Sequence, residues 1–499
     1  MTDHLPVING SISGQAIRGT FWNYLSFASG KLLNFITTII LARLLVPEEF
    51  GLVGYCTIAI QYLDIMNTAG IDDALIARKN KMDEATNAAF VINIGTGLLS
   101  FGLAWIFAPS IANFFQAEKV TDLFRVLAIV LPVSGMGLVP DTLIKRKLRF
   151  RDKLKPDVSS TFAKGFVSIT MALLGYGAWS LVWGQIAGTL VRTIVCWSLV
   201  DWRPTWVFNL QVTTGLIQYG SHIVLIGFAG ALNDNVDYII VGRILGATAL
   251  GFYTMAYRLP ELAIRSFNYV VSGVMFPLLS RLHSDNNSLQ TYFSQYLRYI
   301  TLFTFSTGTG LALTAGLFVN NFLSSKWAPA ALPMMLLSIA LAVDSVRFAP
   351  GVIYKSINKP EILTMVTLIR LPLVIGLLIY SARWGINGIA LGQVILAVIS
   401  VIVEGFVLNQ IIKAKLSLFV KALLPASISS LFMALVVGSI IYYFTPSGWI
   451  GFILLIGIGI LAFVASLTIT SRDTTSALIS LIRNELINPW FDRRIKNEN

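Results

Sequence analysis

Apolar and polar residues are arranged along this chain in long blocks. Apolar runs of about 20 residues, the length that crosses a bilayer as a helix, follow one another with short polar segments between them. Predicted transmembrane helices lie near 18–42, 50–71, 86–109, 120–141, 157–176, 179–200, 214–243, 250–278, 292–323, 330–354, 361–382, 386–411, 420–444 and 449–470. The pattern therefore predicts an all-α polytopic membrane protein with about 14 transmembrane helices.

One stretch occurs twice. The segment Leu41–Gly51 matches Val241–Gly251 at an offset of 200 positions, and each copy closes one apolar run and opens the next. Two further matches follow in the same order, at offsets of 208 and 210: Gly177–Gln185 with Gly385–Gln393, and the segment from Pro140 with the segment from Pro350. Three matches with nearly constant spacing indicate a duplicated unit of about 200 residues.

The repeat divides the chain into two similar lobes and a remainder. We predict a cytoplasmic tail over 1–17, a six-helix N-lobe over 18–212, a six-helix C-lobe over 213–412, two extra helices over 413–470 and a cytoplasmic amphipathic tail over 471–499. An even number of helices in each lobe makes the pseudo-symmetric lobes run in the same direction. In that arrangement a transport site is expected between the two bundles, near the middle of the membrane.

Composition fixes the class of protein. Of the 499 residues 55% are hydrophobic and only 12% are charged, with a mean hydropathy of +0.73; soluble chains carry about 25% charged residues. The net charge of +12 does not indicate nucleic-acid binding, because the basic residues lie in short loops between apolar runs. The two cysteines, Cys56 and Cys196, are far apart and indicate neither a disulfide framework nor a metal site.

The basic residues predict the orientation. One set of alternate loops carries most of them, above all the seven between Lys145 and Lys155, whereas the opposite set holds only Arg43, Lys119, Arg243, Lys326 and Arg383. Basic loops of membrane proteins face the cytoplasm. We therefore expect both termini to be cytoplasmic.

Ionisable residues inside apolar runs are the candidates for function, since each charge at the centre of a membrane helix costs roughly 2.5 to 3.5 kcal/mol. They are Lys31, Asp64, Lys164, Arg192, Asp234, Asp237, Arg258, Arg265, Asp344, Arg347 and Arg370. Two interpretations stay open: they pair with each other or reach the membrane surface, or they line a water-filled cavity. The pairs Asp234/Asp237 and Asp344/Arg347 are three residues apart, so the members of each share a helix face.

The chemistry of these side chains suits an anionic sugar-bearing substrate. The planar guanidinium of arginine fits phosphate oxygens in bidentate fashion, and amides such as those of Gln185 and Gln393 can bind sugar hydroxyls, although polar side chains also join membrane helices to each other. The candidates for a substrate cavity are Lys31, Asp64, Arg258, Arg265, Arg347, Arg370, Gln185 and Gln393.

Motifs for ATP binding and for zinc binding are missing. The sequence has no phosphate-binding loop of the G-x-x-x-x-G-K-[ST] type and no H-E-x-x-H motif. We expect no cofactor and no catalytic residues, and interpret the chain as a secondary transporter driven by an ion gradient or the membrane potential. The intramembrane carboxylates, which are the natural proton or sodium carriers, are Asp64, Asp234, Asp237 and Asp344.

Three segments carry a family resemblance: Leu41–Gly54, Gly70–Lys79 and the basic Leu143–Lys153. Together they resemble the Wzx-type, colanic-acid-exporter-like polysaccharide transporters of the multidrug/oligosaccharidyl-lipid/polysaccharide exporter superfamily. The resemblance implies 14 helices around a central cavity. It also implies transport of undecaprenyl-pyrophosphate-linked sugar repeat units across the bacterial inner membrane, with membrane lipids and a polysaccharide polymerase as further partners. It implies no particular binding residue.

Two other functions remain open at this point. A small-molecule efflux antiporter of the same superfamily would have the same helices. A membrane glycosyltransferase or polymerase would also handle lipid-linked sugars, but such enzymes usually carry a large loop outside the membrane, and every loop predicted on that side is short.

Overall fold

The computed structural model describes residues 29–476 except 69, 79–80, 148, 206–208, 281–285, 445 and 447. The predicted tail 1–17 and most of the tail 471–499 lie outside these residues. The described residues form helices and short connections without a strand. The helices are α1 (29–44), α2 (Pro47–Thr68), α3 (Ile71–Ala77), α4 (Met82–Phe115), α5 (Val120–Leu127), α6 (Val130–Arg146), α7 (Phe150–Leu173), α8 (Ala178–Ser198), α9 (Leu210–Pro260), α10 (Ser266–Ser280), α11 (Asn286–Phe318), α12 (Ala331–Ser356), α13 (Pro360–Ser381), α14 (Gly385–Ile412), α15 (Leu416–Phe444) and α16 (Gly448–Thr470).

Eight helical stretches of the described residues are long and apolar enough to cross a membrane. Some of them are too long for one crossing. The stretch Pro360–Ile412 has 53 residues, about 80 Å of helix at 1.5 Å per residue, against a hydrocarbon core of about 30 Å. It contains α13 and α14, which a short 3₁₀ turn at Ala382–Trp384 separates. The membrane class is thereby confirmed, and the number of 14 spans stays a prediction.

The chain forms two compact units, here called the N-terminal unit (residues 1–254) and the C-terminal unit (residues 255–499). The boundary falls within α9, after a kink at Gly246, whose φ of 86° favours glycine. The predicted lobe boundaries at 212/213 stay a prediction.

The two copies of the repeated segment meet inside the N-terminal unit. A Cβ atom on Gly51 would overlap the carbonyl oxygen of Ala247, and a Cβ atom on Gly251 would overlap the carbonyl oxygen of Pro47. At the repeat offset of 200, Gly51 corresponds to Gly251 and Pro47 to Ala247. The contact is therefore reciprocal, as at a two-fold axis, and only glycine permits the close approach of the backbones.

Helix α12 is central to the C-terminal unit, where it packs against α10, α11, α13 and α14. Buried residues of α11, α12, α14 and α15 share one core, including Phe293, Ile353, Leu408 and Phe419. This core fixes the rotation of α12, and therefore the direction in which its charged residues point.

Candidate functional site

Four helices of the C-terminal unit bring charged side chains together, and α12 supplies the first pair. The guanidinium of Arg347 donates two hydrogen bonds to the carboxylate of Asp344, from Nε at 2.8 Å and from an Nη atom at 3.0 Å. The two side chains are 22% and 14% exposed. Their spacing of three residues places them on one face of α12, and the bidentate geometry uses both carboxylate oxygens.

Arg370 of α13 approaches the same carboxylate. One of its Nη atoms lies 3.8 Å from Oδ1 of Asp344, a longer contact than either bond from Arg347. The Nε atom of Arg370 is buried and has no hydrogen-bond partner among the described residues. A buried donor without a partner costs about 1 to 3 kcal/mol. Arg370 is therefore the cation of this group with capacity for another anion.

Helix α14 adds a second carboxylate. Glu404 is 2% exposed and accepts a hydrogen bond of 2.6 Å from the hydroxyl of Tyr354 on α12. It also interacts electrostatically with Arg347 and Arg370. Glu404 is not among the candidates drawn from the sequence, although a glutamate within the apolar run 386–411 is itself a signal of a functional position.

A π-helical turn, Glu261–Arg265, contributes the last ion pair. An Nη atom of Arg265 lies 3.4 Å from Oε1 of Glu261, and both side chains are more than one-third exposed. The turn follows Pro260, which has no N–H for the regular helical ladder. Single π turns of this kind often occur at functional sites. We call Glu261, Arg265, Asp344, Arg347, Arg370 and Glu404 the charge cluster.

The other sequence candidates lie elsewhere. In the N-terminal unit Lys31 and Asp234 are exposed, Asp64 and Gln185 are half-buried, and Asp237 is buried. Asp237 accepts a hydrogen bond of 3.0 Å from the hydroxyl of Tyr253, which gives it a local packing role. In the C-terminal unit Arg258 and Gln393 are half-buried on α9 and α14.

A second group of charges lies in the N-terminal unit and has a different character. Lys145 contacts Asp141 at 2.7 Å and Asp72 at 3.7 Å. Arg192 contacts Asp141 at 3.2 Å and Asp157 at 2.7 Å. We call these five residues the ion-pair network. Each of its cations has two carboxylate partners, so it joins α3, α6, α7 and α8 without leaving a guanidinium unmatched.

The arrangement in the charge cluster is suited to bind an anion. Its arginines offer donors to an anion, and the carboxylates of Asp344 and Glu404 compete for those donors. The described residues hold no group of three or more His, Cys, Asp or Glu side chains placed for a metal ion.

Comparison with known proteins identifies the family. The family model described as "Polysaccharide biosynthesis protein" matches residues 40–332, more than half of the chain. The chain belongs to this family. It is 25% identical over 474 residues to the succinoglycan biosynthesis transport protein ExoT of Rhizobium meliloti, covering 93% of this chain and 95% of that protein. It is 22% identical to the lipopolysaccharide biosynthesis protein WzxC of Escherichia coli, covering 80% and 81%.

A solved structure matches the fold of this polysaccharide biosynthesis protein. The lipid II flippase MurJ in an inward closed conformation aligns with a TM-score of 0.74 at 17% identity, covering 92% of this chain and 99% of that one. At this identity the likeness concerns the fold alone. The relatives confirm the polysaccharide-transporter resemblance found in the sequence. We therefore interpret the charge cluster as a candidate site for transport in polysaccharide biosynthesis.

Proposed function

We propose that this protein is a flippase that moves polyprenyl-pyrophosphate-linked oligosaccharide repeat units from the cytoplasmic to the periplasmic leaflet of the inner membrane. Undecaprenyl is the lipid we propose. The observation that carries the proposal is the buried, unpartnered Nε of Arg370 within a group of three arginines. A pyrophosphate is the part of such a substrate that needs arginines, because its oxygens accept charge-assisted hydrogen bonds in pairs.

Binding would proceed by exchange of anions. Without substrate, Asp344 holds Arg347 and partly neutralises Arg370. An entering pyrophosphate offers more negative charge than one carboxylate, so Arg370 and Arg265 turn to it. Release would restore the pair with Asp344. Because Asp344 lies close to Arg347 and Arg370, the charge of each keeps an anion nearby in both states, although Nε of Arg370 has no hydrogen-bond partner among the described residues before substrate binds.

Carboxylates would couple the cycle to an ion gradient. The sequence candidates Asp64, Asp234, Asp237 and Asp344 remain proposed carriers, and Glu404 joins them because it is buried beside two arginines. Uptake of a proton or sodium ion by Asp344 or Glu404 weakens its hold on the arginines and so changes the affinity of the charge cluster for an anion. Alternating access then links ion movement to the movement of substrate.

The proposed direction requires a defined topology, with both termini in the cytoplasm. Exposed residues allow a test: Glu48 lies in the first turn of α2, and Lys147 follows α6. Single cysteines at Glu48 and Lys147, in a background lacking Cys56 and Cys196, should react with an impermeant thiol reagent from the periplasm and the cytoplasm respectively. Equal labelling of both from outside contradicts this topology.

Deletion of the protein tests the function in cells. Lipid-linked repeat units should still be made but remain on the cytoplasmic leaflet, with little surface polysaccharide. Export of normal but unpolymerised repeat units would contradict the flippase and favour a polymerase. Unchanged polysaccharide together with sensitivity to cationic drugs would contradict it in favour of an efflux antiporter.

A further inference from the structure

A basic cavity of the C-terminal unit is lined by none of the residues of the charge cluster. It has a volume of about 640 Å³ and lies between α11, the end of α14 and the start of α15. Its lining carries four cationic side chains and, among the described residues, no carboxylate: Arg298, Lys413, Lys415 and Lys421. Asn287, Gln290 and Ser294 add neutral polar groups.

The loop between α14 and α15 is held in place by its own contacts. Lys413 ends α14 in a left-handed conformation with φ 54° and ψ 29°. The side-chain amide of Gln290 on α11 donates a 2.7 Å hydrogen bond to the carbonyl of Ile412, the last residue of α14. The loop is short, because α15 begins at Leu416. Lys413 and Lys415 are therefore presented from a fixed backbone rather than from a long free loop.

Arg298 brings a partly used guanidinium to the cavity. One Nη atom lies 3.3 Å from the hydroxyl oxygen of Thr474, whereas Nε is buried and has no hydrogen-bond partner in the described part of the chain. The N–H groups at the start of α15 add a positive helix end beside the lysines. Three independent features thus favour an anion at the same place: the lysines, the partly used guanidinium of Arg298 and the helix end.

We propose that this cavity binds the phosphate headgroup of an anionic glycerophospholipid in the cytoplasmic leaflet. The cavity lies where α14 ends and α15 begins, so an occupant can keep its acyl chains in the bilayer. The basic residues of the loop place this cavity at the cytoplasmic side by the charge rule. Basic cavities between membrane helices on that side are suited to phosphate headgroups. The volume falls in the range of ordinary ligand sites, roughly 300 to 1,000 Å³.

The binding test uses the purified full-length protein in phosphatidylcholine nanodiscs containing a small fraction of phosphatidylglycerol, with bound lipid counted by native mass spectrometry. The test variant changes Lys413, Lys415 and Lys421 to Gln. The control variant changes Lys147, Lys355 and Lys359 to Gln, which removes the same charge from exposed positions outside the cavity. We expect wild type and control to retain phosphatidylglycerol over phosphatidylcholine, and the test variant to lose this preference by tenfold or more.

Two results would overturn the proposal. Equal loss in both triple variants would show that only net positive charge attracts the lipid. Displacement of the lipid by millimolar inorganic phosphate or pyrophosphate would show a site for the free anion instead of a lipid. Retention that is unaffected by inorganic phosphate, and is lost only in the test variant, supports the lipid site.

Discussion

The ion-pair network of the N-terminal unit and the charge cluster of the C-terminal unit contain the same kinds of side chain but pair them differently. In the network, Arg192 contacts two carboxylates at 3.2 and 2.7 Å. In the cluster, Arg370 has one carboxylate at 3.8 Å and a buried Nε without a partner. We therefore interpret the network, in which each cation has two carboxylate partners, as a support of helix packing, and the cluster, with its unpartnered donor, as a candidate ligand site.

The internal repeat allows equivalent positions of the two copies to be compared. At the offsets of 208 and 210, Tyr354 corresponds to Ile144 and Glu404 to Cys196. Ile144 and Cys196 are buried in one hydrophobic cluster, and Tyr354 and Glu404 form a hydrogen bond. The same contact between two helices is thus apolar in the first copy and polar in the second.

A second pair of equivalent positions shows the same change. Gly137, on α6, lies so close to α8 that a Cβ atom would be 2.8 Å from the hydroxyl oxygen of Thr193. Its equivalent at the offset of 210 is Arg347. Where the first copy uses a glycine to bring two helices together, the second places an arginine that binds Asp344.

The largest expected effect concerns the network. Arg192→Gln removes the partner that Asp141 and Asp157 share. The Asp141 side chain is only 7% exposed, and leaving a buried charge without its partner costs about 3 to 5 kcal/mol. We expect a destabilisation at the lower end of this range, because Lys145 still contacts Asp141. Immunoblots of membranes should show strongly reduced protein, and Asp157→Asn in the same chain should recover part of it. Normal abundance of the variant together with lost transport would show that the network also has a functional role, and would contradict the proposed difference between network and cluster.

The cluster should respond in the opposite way. If Arg370 binds the substrate as proposed, Arg370→Gln removes a charge-assisted contact worth about 1.5 to 3 kcal/mol, which slows transport tenfold or more. It also removes a costly buried charge, so abundance in the membrane should stay near normal. Arg370→Lys should restore part of polysaccharide export. Degradation of the Gln variant, rescued by Asp344→Asn, would show that Arg370 only holds the helices together.

Replacing the Tyr354–Glu404 contact by its equivalent from the first copy, Ile144–Cys196, tests the repeat more directly. Tyr354→Ile leaves the Glu404 carboxylate buried without its hydroxyl donor, and Glu404→Cys leaves that hydroxyl without its acceptor. Each change should lower the free energy of unfolding by about 1 to 3 kcal/mol. The double variant imports the apolar pair of the first copy, so its loss of abundance should be smaller than the sum of the two. Strict additivity would mean that the positions are not equivalent.

The glycine contact should show a smaller effect on thermal stability. Gly51→Ala and Gly251→Ala each press a methyl group into a backbone carbonyl, and overpacking costs about 1 to 3 kcal/mol. Gly102→Ala is the matched control, because a Cβ atom there has nothing within 4 Å. Equal melting temperatures of all three variants would argue against the reciprocal contact.

Much of the fold follows from the sequence, because run length in a membrane is set by bilayer thickness. The run predicted at 386–411 is the helix Gly385–Ile412 in the structure. Spacing also predicted that Asp344 and Arg347 share a face, and they are in contact. Spacing alone could not tell which side of a helix faces inward: of Asp234 and Asp237, equally close in sequence, one is exposed and the other is buried.

The pairings that define the cluster could not be predicted. Tyr354 and Glu404 are 50 residues apart, and no periodicity links two positions on different helices. The π turn that carries Arg265 depends on local hydrogen bonding after Pro260, which the apolar pattern does not encode. Such features are decided by packing between helices.

The proposed flippase function is tested most directly by measuring lipid flipping by the purified protein. Proteoliposomes would be loaded with a short polyprenyl-pyrophosphate oligosaccharide, and an added glycan-modifying enzyme would report the fraction reaching the opposite leaflet. We predict protein-dependent flipping by wild type and Gly102→Ala, and at least about tenfold slower flipping by Arg370→Gln. Equal rates for wild type and Arg370→Gln, or no flipping above empty liposomes, would contradict this prediction.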